Sequence, residues 1–81
     1  MTTDSHPHEI VERRLAVSLG AFTARNALRT FSMRALGKTP EDVGLDEMPQ
    51  LLSALRPMLR TLVGATQAER LLQYIRLDLG I

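Results

Sequence analysis

Between His8 and Leu36 the chain offers a helix only one interruption, Gly20. A glycine costs a helix interior about 1 kcal/mol relative to alanine, too little alone to end a helix that packing favours. Turned at roughly 100° per residue, this run carries two apolar stripes. Val11, Leu15, Leu19 and Phe22 form the first. Val17, Ala21, Ala24, Leu28, Phe31 and Ala35 form the second, more than roughly 90° around the axis. Either the segment divides near Gly20 into two helices that each bury one stripe, or one helix is contacted first on one side and then on the other. No turn dipeptide breaks the run. The pattern therefore predicts a single helix over about 8–36, continuous or gently kinked near residue 20. Ser18, Gly20, Ala21 and Ala24 are small enough to let a neighbouring helix approach closely.

Downstream, each element carries its own start and stop signals. Gly37 sits where a glycine commonly ends a helix. In KTPEDV, Thr39 is placed to cap a short turn at 40–43 with Pro40 at its first position. Asp46 is placed to cap a helix over 47–63. There Met48, Leu51, Leu52, Leu55, Met58, Leu59 and Leu62 fall within roughly 120° of arc. Pro57 removes one backbone bond from this helix and crowds the Ser53 carbonyl, so a bend is expected, absorbed on the face opposite the stripe. After Gly64, TQAE offers a capping box between Thr66 and Glu69. It opens a helix over 67–79 that buries Ala68, Leu71, Leu72, Ile75 and Leu79, and Gly80 stops it. No strand pattern and no sequence repeat is evident. The expected fold class is all-α, a small bundle of three to four helices. Residues 1–7 read as a flexible N-terminal tail, with Ser5 and Pro7 as helix-start signals, and 8–81 as a single helical domain.

Composition limits how such a bundle can be held together. With 81 residues and no cysteine, the chain has neither a disulfide nor a thiolate–zinc site as a staple. A domain this small buries only about 60% of the surface its unfolded chain exposes. Its hydrophobic residues reach 44%, of which few are aromatic, so Leu, Ala, Val and Met must fill the core. Sharing an apolar face with a second chain would relieve that shortage, and a homodimer is the expectation. The longest uncharged interior run, Leu15 to Ala24, is ten residues, about half of the ~20 a spanning helix needs. The Arg13-Arg14 pair before it resembles an export signal, but Glu9 and Glu12 spoil the basic leader and Arg25 follows at once. A cytoplasmic location is expected, with no membrane contact.

Several stretches approach a chemical motif without completing it. VGLDEMPQLL, from Val43, resembles the GLDSL signature of acyl and peptidyl carrier proteins. In that family a serine after the aspartate carries phosphopantetheine. Glu47 stands at that position and offers no hydroxyl to esterify, so the stretch reads as a helix start with acids in its first turn. SMRALGKTP places Gly37, Lys38 and Thr39 as a phosphate-binding loop would, but Ser32 occupies the first glycine's place and the segment ends a helix. His6 and His8 lie in or beside the tail without a patterned third ligand, so no metal and no cofactor is expected. With both set aside, the folded body holds no histidine or cysteine to act as base or nucleophile. Ser18, Ser32 and Ser53 sit inside helices, and the acids sit mainly at helix starts. The chain is read as a non-enzyme.

Arginine is the most informative polar residue. Nine of the ten basic side chains are Arg, and six basic residues stand between Arg13 and Lys38 without an acidic one. The favoured reading is a protein–protein interaction or dimerisation module, a small regulatory adaptor. It would bind through an Arg-bordered apolar face comprising Val17, Ala21, Ala24, Arg25, Leu28, Arg29, Phe31 and Arg34. The uncharged outer face of the third helix, Gln50, Ala54, Pro57 and Thr61, is a second candidate contact. The other reading is a small nucleic-acid-binding regulator. On a continuous helix Arg14, Arg25 and Arg29 share one face that would track phosphates. The partner expected is another protein, most simply a second copy, with nucleic acid less favoured.

Overall fold

The computed structural model describes residues 6–81. Its elements are α1 (Pro7–Leu19), α2 (Ala21–Leu36), two single 3-10 turns (Pro40–Asp42 and Leu45–Glu47), α3 (Met48–Val63) and α4 (Ala65–Leu79). Among the described residues there is no strand, and the fold is an all-α bundle of four helices. Most of the expected tail lies outside the described residues, as does the Ser5 start signal. Pro7, assigned to that tail, is instead the first residue of α1.

The segment expected as one helix over 8–36 is two. Gly20 turns the chain with φ 87° and ψ 153°, a region that is essentially glycine's alone. It closes α1 by donating its N–H to the Ala16 carbonyl at 2.9 Å. It opens α2 by accepting from the Ala24 N–H at 3.0 Å. The gain is burial: with the chain folded back at this point, Val11 and Leu15 of the first stripe and Ala24 and Leu28 of the second face one core. Val11, Leu15, Ala24 and Leu28 are each at most 1% exposed. Burying a Val or Leu side chain is worth about 1.5–3 kcal/mol. The amides left open at the start of α2 cost about 1 kcal/mol each at most, since water still reaches them.

α3 and α4 meet in the same way. Gly64, at φ 88° and ψ 159°, donates to the Arg60 carbonyl and accepts from the Ala68 N–H. The fold thus uses one device twice, helix–glycine–helix, although the sequence shows no repeat. Buried positions also correspond across the two halves: Val11 with Leu55, Leu15 with Leu59, Ala24 with Ala68, and Leu28 with Leu72.

The halves pack with α2 against α3 and α1 against α4. Gln50, near the start of α3, donates to the Ala35 carbonyl near the end of α2, while Leu62 shares a groove with Phe22. These contacts make α2 and α3 antiparallel. Arg14 binds Asp78, and Ser18 lies beside Gln67, so α1 and α4 are antiparallel too. The core between them is built mainly from Leu15, Leu28, Met48, Leu51, Leu55, Leu59 and Ile75, all at most 1% exposed. The α4 stripe buries all five residues expected of it, whereas Leu62 of the α3 stripe is left 54% exposed. Pro57 lies inside α3 on an exposed position, away from the stripe.

Three expected caps are replaced by other partners. Thr39 does precede the turn at Pro40–Asp42, but its hydroxyl donates to the Asp42 carboxylate at 3.2 Å instead of capping an amide. Asp46 does not cap α3. The Glu47 carboxylate instead accepts from the Gly44 N–H at 3.1 Å, within an unexpected 3-10 turn. α4 starts two residues early, at Ala65, so Thr66 lies inside it and Glu69 pairs with Arg56 at 3.0 Å.

Candidate functional site

α2 and α3 together present an uncharged face. On α2 it runs through Phe22, Thr23, Asn26, Ala27 and Thr30. On α3 it runs through Ala54, Pro57, Met58, Thr61 and Leu62, and Phe31 lies in the floor between. None of these side chains ionises, in a chain where 23% of residues are charged. The two helices enclose a shallow groove of about 310 Å³. Thr23, Asn26, Ala27 and Thr30 supply small side chains to its α2 wall, while Phe22 at 76% and Leu62 at 54% exposure stand at one end. Arg34 borders this face, its guanidinium 6.0 Å from the centre of the Phe31 ring.

The residues expected to form one adhesive surface are divided. Ala24 and Leu28, 0% and 1% exposed, belong to the chain's own core, and Phe31 packs partly against it. Ala24 and Leu28 cannot contact a partner in this fold, which corrects that part of the expected surface. Val17 is 83% exposed but looks toward α4, beside Tyr74 and Arg70, and Ala21 is exposed at the Gly20 corner. Of the expected set only Phe31 lies in the α2/α3 groove, with Arg34 at its border. The physical reason is the break at Gly20. A stripe continuous on one helix becomes two surfaces when the helix folds back.

The same break separates the arginines. Arg14 lies between α1 and α4, where Asp78 accepts from both its Nε and, at 3.1 Å, its Nη2. Its guanidinium also sits 5.4 Å from the centre of the Tyr74 ring. This bond raises the Arg14 pKa and holds the Asp78 carboxyl below its ordinary value. Arg25 lies between α1 and α2, 3.5 Å from Glu12, and Arg29 lines the same cleft. Arg14, Arg25 and Arg29 therefore do not share a face.

That cleft, about 350 Å³ between α1, α2 and the Pro40 turn, also holds a residue whose place the sequence obscured. His8 is not at the edge of a tail: it is 9% exposed, inside α1, with its Nδ1 buried and unpartnered. The available signal was its spacing. His8 stands three residues before Val11, on the face that Val11 and Leu15 turn to the core. Glu41 at the rim is held below the usual carboxylate range, mainly by its own backbone amide, with His8, Thr39 and Arg29 contributing. Cations and carboxylates in this cleft largely answer one another. Among the described residues no group of three His, Cys, Asp or Glu side chains is placed to hold a metal ion. No described helix is long and apolar enough to cross a membrane.

No family model matches the chain, and no curated protein or solved structure matches it.

Proposed function

We propose that this chain is a small non-enzymatic interaction module that self-associates through the uncharged α2/α3 face. The observation that carries the reading is that the eight side chains lining the groove between the two helices include no charge. A second copy is the occupant this surface suits best. In a two-fold contact residue i of one copy meets residue j of the other and j meets i, and a face without ionised groups can meet itself with no charge left to bury unpaired. The exposed Phe22 of one copy fits the small-residue wall, Ala27 and Thr30, of the other. Acting as an adaptor, the dimer would leave the arginine-bearing clefts outside the contact.

The test places charge on the face without touching the core. Asn26 and Thr30 are both exposed and four residues apart on α2. Asn26→Glu with Thr30→Glu is expected to abolish association, read by light scattering, while helical circular dichroism stays at the wild-type level. A variant that still assembles rejects this face. Phe31→Asp is the poorer probe, because Phe31 packs against the core and its loss confounds folding with binding.

A further inference from the structure

Gly20 and Gly64 form the same corner, yet only Gly20 interrupts a pattern. On a straight helix through residue 20, Phe22 continues the stripe of Val11, Leu15 and Leu19. Val17 and Ala21 continue the stripe of Ala24, Leu28 and Phe31. In the folded chain Phe22 and Val17 are 76% and 83% exposed. The sequence patterns them as buried residues, and the corner prevents it. Gly64 is followed by Ala65, Thr66 and Gln67, which extend no apolar stripe across it.

The backbone is also prepared for a straight path. Gly20 already bonds to Ala16 on one side and Ala24 on the other, in the i to i+4 register of a helix. Turning this one residue to helical dihedrals would let the Ala21, Phe22 and Thr23 amides reach the Val17, Ser18 and Leu19 carbonyls, three bonds the corner forgoes. No atom lies within 4 Å of where a Cβ on Gly20 would stand, so only the positive φ opposes a side chain there.

We infer that Gly20 is a hinge through which two copies of this chain exchange α1. In the exchanged dimer α1 and α2 form one helix, and each α1 packs on α2 and α4 of the partner copy. It uses the contacts it makes at home: Val11 and Leu15 in the core, Arg14 on Asp78, Glu12 beside Arg25. The fold without its own α1 lacks one wall of its core, and the second copy supplies it. This exchange needs no contact between α2/α3 faces, although Phe22 belongs to that face, and is testable with the face disabled.

The experiment removes the docking face first, by working in the Asn26→Glu/Thr30→Glu background. There, Gly20→Ala is expected to double the mass seen by light scattering from 9.0 kDa and to raise helical ellipticity. Gly64→Ala in the same background is expected to stay at 9.0 kDa. A folded Gly20→Ala chain at 9.0 kDa overturns the hinge, and so does a Gly64→Ala chain that dimerises as readily. If Gly20→Ala does not fold, cross-linking decides. The chain has no cysteine, so Glu12→Cys with Arg25→Cys, with glycine kept at 20, can be joined by a short bis-maleimide after refolding. Exchange predicts an interchain product that grows with the protein concentration during refolding. Intrachain product alone at every concentration overturns it.

Discussion

Gly20 and Gly64 adopt nearly the same backbone conformation, φ 87° with ψ 153° and φ 88° with ψ 159°, and each is the whole connection between two helices. One residue is enough because each glycine serves both helices at once, its N–H closing one and its carbonyl opening the next. The stability of the bundle therefore depends on two residues that carry no side chain.

Replacing Gly64 tests that dependence. An alanine there has open space for its Cβ but must hold a φ that L residues rarely adopt. Gly64→Ala is expected to cost about 1–3 kcal/mol. In a domain of this size that lowers the melting temperature by roughly 4–8 °C per kcal/mol. A melt unchanged from wild type would mean the corner can relax without loss.

Leucines on the same helix should differ sharply. Leu55 is fully buried and Leu62 is 54% exposed, although the periodicity assigns them one stripe. Leu55→Ala is expected to cost about 2–5 kcal/mol, a large part of what a small domain has. Leu62→Ala is expected to cost no more than about 0.5 kcal/mol. Urea denaturation of both variants at a concentration where the chain is monomeric measures the contrast, and equal losses would contradict the packing.

Acid should loosen the fold through two carboxylates. Lys38 donates to both oxygens of Glu47, at 2.9 and 2.7 Å, and with the Gly44 amide keeps that carboxyl below its ordinary 4.5. Arg14 does the same for Asp78, below its ordinary 3.8. A folded-state value below the unfolded one gives stability that is complete above the ordinary value and is lost as pH falls through the folded value. The melting temperature is therefore expected to fall from about pH 5 toward about pH 3. The fall should be shallower in Glu47→Gln/Asp78→Asn and weaker in high salt, since solvent reaches both pairs, Arg14–Asp78 more than the half-buried Lys38–Glu47. Identical acid slopes in variant and wild type would show that other groups carry the effect.

Most of the helix inventory was legible because apolar spacing and glycine punctuation agree. The α3 and α4 stripes name nearly every residue those helices bury, and Gly37, Gly64 and Gly80 end helices where they should. The Gly20 corner was not legible. Two stripes on one run are compatible with a straight helix and with a folded one. The choice turns on whether α3 and α4 can cover both stripes together, a property of the assembled core. The caps failed for a related reason. Glu47 and Glu69 found Lys38 and Arg56, nine and thirteen residues away, partners that cap patterns of three or four residues do not contain. The candidate site was half legible. The uncharged strip on α3 stood out in sequence, but its α2 counterpart became visible only once Ala24 and Leu28 turned inward and left Phe22, Asn26 and Thr30 outside.

Self-association through the α2/α3 face is tested most directly by the mass of the wild-type chain as it is diluted. Light scattering coupled to size exclusion is expected to give twice 9.0 kDa at high concentration, falling toward 9.0 kDa on dilution. A mass of 9.0 kDa at every concentration would contradict the account.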